Sequence, residues 1–445
     1  MVAMSPELVV LLMFGAVFIG VFLGYPLPFI VGGVAMVIGF MAMGTDVFAL
    51  LRVRLWGMMI SYILLAIPLF IFMGSMVEKS GCAEGLYHGL YLAFGRLRGG
   101  LAIATVLMGT VLAACVGIIA ASVITLGLIG IPSMLKRGYD RSLISGSVCA
   151  GGSLGILIPP SIMLVIYGPM AGISVGKLFM GAFGPGLLLS GLYVTYIAVR
   201  AFLQPNIAPP LSIEERSVPF SYKVKTLVFG MLPPLILVLS VLGVIFFGIA
   251  APTEAAACGA FAATILALAN KRLTRTVLRE TMYQTVKVST MALMIGWSAT
   301  MFTGVFLRLK GGTVVADLIM SAPGGKWGAF GLIMFVVFIL GFLVDWMAIV
   351  FILVPLLAPI MPNLGFDPLW FAIMVCVNLQ MAFMTPPMAP AIFFLRGIAL
   401  EEWGITTAHI VKGIAPFVGF IIVALLLCIA FPDIILWLPH QMIKF

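Results

Sequence analysis

Apolar runs of about 20 residues recur along the whole sequence, and no other feature restricts the fold as strongly. Each run is long enough for one helix to cross the hydrocarbon core of a bilayer. Hydrophobic residues make up 63% of the chain and charged residues 9%, against roughly 45–50% and about 25% in soluble domains. We therefore predict an all-α polytopic membrane protein. The simple spans lie near 6–24, 26–43, 58–78, 178–200, 225–249, 253–270, 282–307 and 405–431.

Charged and reactive residues argue against several other functions. The formal net charge is +9, but no basic stretch carries interleaved aromatic residues, so nucleic-acid binding is not expected. The six cysteines form no CxxC pair, which argues against a disulfide framework or a zinc site. No GxxxxGK[ST] loop and no catalytic dyad is found, so we expect no enzyme, and uphill transport would need an ion gradient or another chain.

Four longer apolar stretches form an internal repeat. A Gly-aromatic-Asp triplet at 138–140 is followed by Pro-Pro at 159–160, and the same pattern returns at 365–367 and 386–387, an offset of 227 residues. If the first stretch of each pair is a re-entrant helical hairpin, each half has five full spans and the second half is inverted. Inverted repeats with interrupted helices are typical of secondary transporters. The offset pairs 99–135 with 326–362, and 141–171 with 368–398.

Lys and Arg are distributed unequally between the two sides of this predicted topology. One side holds 17 of the 24, and the other side holds seven. Because positive residues favour the cytoplasm, both termini are predicted to be periplasmic, with the first hairpin open to the cytoplasm and the second to the periplasm. The positive side consists of segments 79–98, 136–141, 200–225, 271–287 and 396–412.

The segment 151–161, GGSLGILIPPS, cannot form a continuous helix, because three glycines precede two prolines. Such a break frees backbone carbonyls for a cation and directs the next helix N-terminus at the membrane centre. The repeat mate is 378–388, and the alternative for both is a pair of structural kinks. A first sodium site is predicted near the first hairpin tip, with backbone carbonyls and hydroxyls as ligands, at Gly117, Ser122, Ser153 and Gly155.

Asp345 is the carboxylate predicted to lie deepest in the membrane, at the tip of the second hairpin. An intramembrane carboxylate normally marks an ion pathway, although Asp345 could instead cap the helix that follows. A sodium ion there would offset its charge, with further candidate ligands in the second break at Asn378, Gln380, Thr385 and Met388. Thr253 and Glu254 precede an Ala-rich run and are more simply interpreted as a helix start.

Together, GGSLGILIPPS at 151–161, MTPPM at 384–388, APTEAAACGA at 251–260 and RGYDR at 137–141 identify a family. The chain resembles, over almost its full length, the large membrane subunit of tripartite ATP-independent periplasmic (TRAP) transporters. The resemblance implies sodium-driven uptake of an organic acid across the bacterial inner membrane. It also implies two partners, a small four-helix membrane subunit and a periplasmic substrate-binding protein. The hairpin tip at 116–119 is apolar where many members are Ser-rich, which resembles the branch for 2-oxo acids, mannitol and chloroaromatic acids.

The resemblance also implies an elevator-type mechanism, in which a transport domain moves against a scaffold. We assign 99–171 and 326–398 to the transport domain, and 1–98, 172–325 and 399–445 to the scaffold. Within the scaffold, 80–96 and 309–322 are predicted to be interfacial arms that precede the hairpins. The substrate carboxylate would be bound at the helix N-termini after the two breaks, by Pro160, Ser161, Thr385 and Pro387. The alternative is a stand-alone ion-coupled carboxylate carrier or exporter that needs no binding protein.

Overall fold

The computed structural model describes residues 5–212, 215, 218–387 and 389–442, and this part of the chain contains helices and no strands. Helix accounts for 82% of the structure. The first half contains α1 Pro6–Phe22, α2 Leu27–Met43, α3 Asp46–Met59, α4 Ala66–Lys79, α5 Cys82–Phe94, α6 Gly100–Val116, α7 Ile119–Leu135, α8 Arg141–Ser153, α9 Ile162–Ala171 and α10 Val175–Leu203. The second half contains α11 Phe220–Phe246, α12 Pro252–Ala269, α13 Arg275–Arg308, α14 Gly311–Met320, α15 Gly325–Gly341, α16 Trp346–Leu357, α17 Pro368–Met384, α18 Pro390–Ile398, α19 Thr407–Ala430 and α20 Asp433–His440.

Six helical segments in the described ranges are long and apolar enough to cross a membrane. The predicted all-α polytopic membrane fold is therefore confirmed. Two of the expected simple spans, α1 and α2, form helices of 17 residues each, at the short end of what crosses a bilayer. The six segments are Tyr62–Lys79, Val175–Leu203, Phe220–Phe246, Pro252–Ala269, Arg275–Arg308 and Thr407–Ala430.

Helix boundaries follow the internal repeat. The helices α8 and α17 begin after Asp140 and Asp367, which lie 227 residues apart, and each aspartate accepts hydrogen bonds from backbone amides of the first turn. Each helix is preceded by a left-handed glycine two residues before its aspartate. Both Pro-Pro peptide bonds are cis. The two halves therefore share one order of elements: a long helix, a short helix, a hairpin, a broken helix and a further long helix.

The five segments with most of the basic residues meet on one face of the molecule. Lys79 forms an ion pair with Glu280 at 2.7 Å, which joins the first segment to the fourth. Asp140 donates its backbone amide to the Ile207 carbonyl at 2.8 Å, which joins the second segment to the third. Arg141 donates to the Trp403 carbonyl at 3.2 Å, which joins the second segment to the fifth, and Tyr91 donates to Glu215 at 3.1 Å, which joins the first to the third. The segments share a side as predicted, while the assignment of that side to the cytoplasm remains a prediction.

Glycines bring the helices around the first hairpin into backbone contact. A Cβ atom on Gly109 of α6 would lie 2.6 Å from the carbonyl oxygen of Gly151 on α8. A Cβ atom on Gly74 of α4 would lie 2.3 Å from the carbonyl oxygen of Val116, at the end of α6. Small residues allow such close packing between membrane helices, where no hydrophobic effect drives association. The first hairpin is thereby held in close contact with α4 on one side and α8 on the other.

Candidate functional site

The tip of the first hairpin lies against the break of the first broken helix. Gly117 forms the turn between α6 and α7 with a φ of 62°, a left-handed conformation that glycine adopts without steric cost. A Cβ atom on Gly117 would lie 3.2 Å from the carbonyl oxygen of Pro160. Any larger residue would crowd this contact, so the glycine serves both the turn and the close approach.

Ser122 supplies a buried oxygen beside this tip. Its side chain is fully buried, and its hydroxyl has no hydrogen-bond partner among the described residues. A Cβ atom on Gly155 would lie 3.4 Å from the Ser122 oxygen, so the hydroxyl faces the break. Buried polar groups are normally paired, and an unpaired oxygen beside freed backbone is a suitable ligand for a hard cation. Ser153 differs, because its hydroxyl donates to the Ala150 carbonyl at 2.9 Å within its own helix.

Asp345 lies in the turn of the second hairpin, where it begins α16. One carboxylate oxygen accepts the backbone amide of Met347 at 2.9 Å, so the helix-cap alternative is correct as far as this oxygen is concerned. The residue also lines a cavity of about 30 Å³, comparable to the volume of one water molecule in the liquid. Its role as a sodium ligand remains a prediction. The other lining residues are Gly341, Val344, Trp346, Ile349, Leu379, Ala382, Phe383 and Pro390.

Among the described residues, the other candidates of the second site, Asn378, Gln380 and Thr385, do not line this cavity. Asn378 donates its amide to the Met334 carbonyl on α15 at 2.7 Å. Thr385 donates to the Met381 carbonyl at 2.8 Å, one turn earlier in α17. Gln380 is fully buried, and neither its amide nitrogen nor its oxygen has a partner within the described part of the chain. Met388 lies outside the described residues. The structure thus places Asp345 beside α17, whereas the unpaired amide of Gln380 lies outside the Asp345 cavity.

The two candidate cation sites are related by the repeat but packed differently. The offset of 227 residues places Ser122 on Ile349 and Gly155 on Ala382, both of which line the Asp345 cavity. In the first half α7 packs tightly on α8, where a Cβ atom on Gly152 would lie 2.4 Å from a Val123 methyl group. In the second half α16 packs mainly against α13 and α9, and the cavity occupies the space between α16 and α17.

The two breaks also differ in exposure, with the first break buried and the second break open. Pro159, Pro160 and Ser161 are all buried, whereas Pro386 and Pro387 are exposed. Ser161 donates its hydroxyl to the Ile156 carbonyl and directly precedes α9. The helices α9 and α18 both start just after their breaks, so each directs a positive helix end toward its break.

Glu78, near the end of α4, is a residue that the sequence reasoning missed. One carboxylate oxygen accepts from the Thr125 hydroxyl on α7 at 3.5 Å, and the other is buried without a partner among the described residues. In the sequence, Glu78 and Lys79 together are typical of the polar end of a membrane span. Only the contact of Glu78 with Thr125 on the first hairpin shows that the carboxylate is part of a buried contact. Glu254, in contrast, caps its own helix by accepting the Ala251 amide at 2.9 Å, as predicted.

A family model described as "Tripartite ATP-independent periplasmic transporter, DctM component" matches residues 10–434. The chain is 32% identical over 393 residues to the C4-dicarboxylate TRAP transporter large permease protein DctM of Pseudomonas aeruginosa, covering 88% of this chain and 89% of the relative.

A second relative is the isethionate TRAP transporter permease protein DctMQ of Oleidesulfovibrio alaskensis, at 30% identity over 84% of this chain and 58% of the relative. Among solved structures, the YdaH transporter of Alcanivorax borkumensis has a TM-score of 0.63 at 14% identity, covering 88% of this chain and 90% of that one, and supports the fold. The relatives are transport proteins and not enzymes. The chain belongs to the DctM family, the large membrane permeases of TRAP transporters.

Proposed function

We propose that this permease imports a small organic acid together with sodium across the bacterial inner membrane, and the resemblance of its first hairpin tip favours a 2-oxo acid. The observation that carries the proposal is the pair of repeat-related sites, each formed by a hairpin tip against a broken helix. Each combines oxygen atoms with a helix N-terminus at a break, the combination expected where a cation and an anion bind together.

Sodium would bind through different ligands at the two sites. At the first, the unpaired Ser122 hydroxyl faces Gly155, and the broken backbone supplies carbonyl oxygens. At the second, Asp345 contributes a formal negative charge in a cavity of about 30 Å³. A carboxylate in a low-dielectric site is costly alone, and a bound cation offsets that cost.

The substrate carboxylate would bind between these sites, at the starts of α9 and α18. Ser161 and Thr385 carry the nearest hydroxyl groups, and both currently donate to carbonyls within their own segments. Sodium beside the anion would raise its affinity, and by linkage the anion would raise that of sodium.

Transport would involve movement of the hairpins and broken helices against the scaffold. Ligands change such an equilibrium only through their different affinities for its two states. Packing of α16 on α9 and of α7 on α8 supports this partition, since both contacts lie within the proposed transport domain.

The proposed complex contains a small membrane subunit and a periplasmic substrate-binding protein. The matched relative whose name joins DctM and Q supports the first of these partners. The stand-alone carrier remains the alternative, and uptake of free substrate by this chain alone in liposomes would favour it.

The test is sodium-dependent uptake by proteoliposomes that contain the whole complex, with Asp345→Asn as the variant. Asparagine caps a helix about as well as aspartate, so α16 should remain intact while the charge is lost. We expect at least a 10-fold weaker apparent sodium affinity. Asp317→Asn, at an exposed position of α14, is the matched control and should behave as wild type. Unchanged sodium affinity in Asp345→Asn would show that Asp345 is only a helix cap.

A further inference from the structure

A basic cavity lies at one end of α13, on the face where the five positive segments meet. It has a volume of about 880 Å³, within the range of roughly 300–1,000 Å³ typical of small-molecule sites. It does not touch either candidate cation site. The lining residues are Lys79, Arg275, Thr276, Arg279, Glu280, Tyr283, Gln284 and Lys287.

The charges in this cavity are strongly unbalanced. Four lining residues are basic and one is acidic. The one acid, Glu280, is already paired with Lys79 at 2.7 Å. Arg275, Arg279 and Lys287 form no ion pair with any described residue. Three cations therefore face a common space in which the described residues offer no unpaired anion to compensate them.

Apolar side chains on the same helix surround this cluster. Met282 is 55% exposed, Tyr283 is 76% exposed and Val286 is 65% exposed. The helix continues into a long apolar segment that ends at Arg308, inside a candidate membrane span. The cations thus lie where the polar end of a membrane helix gives way to its apolar part, at the depth of lipid head groups.

The geometry points to a specific binding site for an anionic phospholipid, with the phosphate between Arg275, Arg279 and Lys287 and the acyl chains along Met282 and Val286. Arginine forms paired hydrogen bonds with phosphate oxygens, and basic pockets at the polar ends of membrane helices bind acidic head groups. A free phosphate compound would satisfy the cations but would leave the exposed apolar side chains without a ligand.

The test measures phosphatidylglycerol bound to the purified full chain in detergent, by native mass spectrometry during lipid titration. The variant Arg275→Gln/Arg279→Gln/Lys287→Gln should bind phosphatidylglycerol at least about 10-fold more weakly than wild type. The control Arg96→Gln/Arg98→Gln/Lys412→Gln removes the same charge from exposed positions on the same face, outside this cavity, and should bind as wild type.

Two further measurements keep the test decisive if the triple variant fails to fold. Glu280→Gln releases Lys79, so it should bind phosphatidylglycerol more tightly than wild type. Arg279→Gln alone should bind more weakly. The proposal would be overturned if Arg279→Gln bound phosphatidylglycerol as strongly as wild type does. It would also be overturned if wild type bound phosphatidylcholine as strongly as phosphatidylglycerol. Displacement of the lipid by millimolar glycerol 3-phosphate would also overturn it, since the ligand would then be a soluble phosphate.

Discussion

Substitution of Gly74 by alanine tests whether the first hairpin is held against α4 by direct backbone contact. The added Cβ atom would lie 2.3 Å from the Val116 carbonyl oxygen, 2.8 Å from its Cα atom and 2.9 Å from its carbonyl carbon. Ordinary contacts of this kind begin at 3.4 Å, so α4 and the hairpin must separate by about 1 Å. None of these atoms can rotate away, because all three belong to the backbone.

The energetic cost follows from this displacement. Overpacking a tight contact costs about 1–3 kcal/mol, and a backbone-to-backbone clash belongs at the upper end. Alanine returns up to about 1 kcal/mol through its better helix propensity. The net loss for the present arrangement is about 2 kcal/mol, which corresponds to a roughly 30-fold change in its population relative to one in which α4 and the tip are apart.

Two assays on the complex measure this effect. Gly74→Ala should lower the melting temperature in detergent and reduce sodium-driven uptake by proteoliposomes. Gly243→Ala is the matched control, since it lies within α11 and nothing would be within 4 Å of its Cβ atom. If Gly74→Ala melts as high as Gly243→Ala and transports at the wild-type rate, backbone contact does not hold the hairpin, and our reasoning is wrong.

Three further predictions concern the ion site, the orientation and the loop after α10. Ser122→Ala should leave the melting temperature nearly unchanged, because an unpaired hydroxyl is lost, yet weaken apparent sodium affinity in uptake assays; unchanged affinity would remove Ser122 from the site. In a Cys258→Ser background, which removes an exposed native cysteine, Arg96→Cys should react only with cytoplasmic reagents and Asp317→Cys only with external ones; labelling of both from one side would refute the inverted repeat. A hydrogen bond from Arg137 lowers the pKa of Glu215 below its ordinary value of 4.5. The contact therefore stabilises the fold fully at pH values above 4.5, and this stabilisation is lost as the pH falls through the lowered pKa. Glu215 is partly exposed, so we expect a loss of less than about 1 kcal/mol, seen as faster hydrogen exchange of the Ile207 and Leu211 backbone amides at acid pH; pH-independent protection would contradict this.

Much of the fold could be predicted because membrane burial and duplication both leave strong patterns in the sequence. Long apolar runs indicate membrane spans directly. The Gly-aromatic-Asp triplets that end at Asp140 and Asp367 gave the offset between the two halves, and α8 and α17 begin at positions that match this offset. The helix start before Glu254 followed from local chemistry alone, because the carboxylate of Glu254 accepts the backbone amide of Ala251, the residue that precedes the first turn.

The site was harder to predict because its geometry depends on how helices distant in sequence pack. Ser122 faces Gly155, but Ser153, just as polar and just as near in sequence, bonds within its own helix. Asn378 forms its hydrogen bond with α15, which no local pattern in α17 reveals. Glu78 acquires its significance only from Thr125, 47 residues away.

The unequal packing of the two hairpins means that one half of the chain is a template for the other. If α6–α9 adopted the present arrangement of α15–α18, and α15–α18 adopted that of α6–α9, the protein would have a second conformer. In that conformer a gap would open between α7 and α8 at Ser122, and the gap beside Asp345 would close. Chemical probes should therefore find these two positions accessible in alternation, never together. One chain with the same order of helices in two arrangements would thus hold both ends of the proposed transport cycle in a single structure.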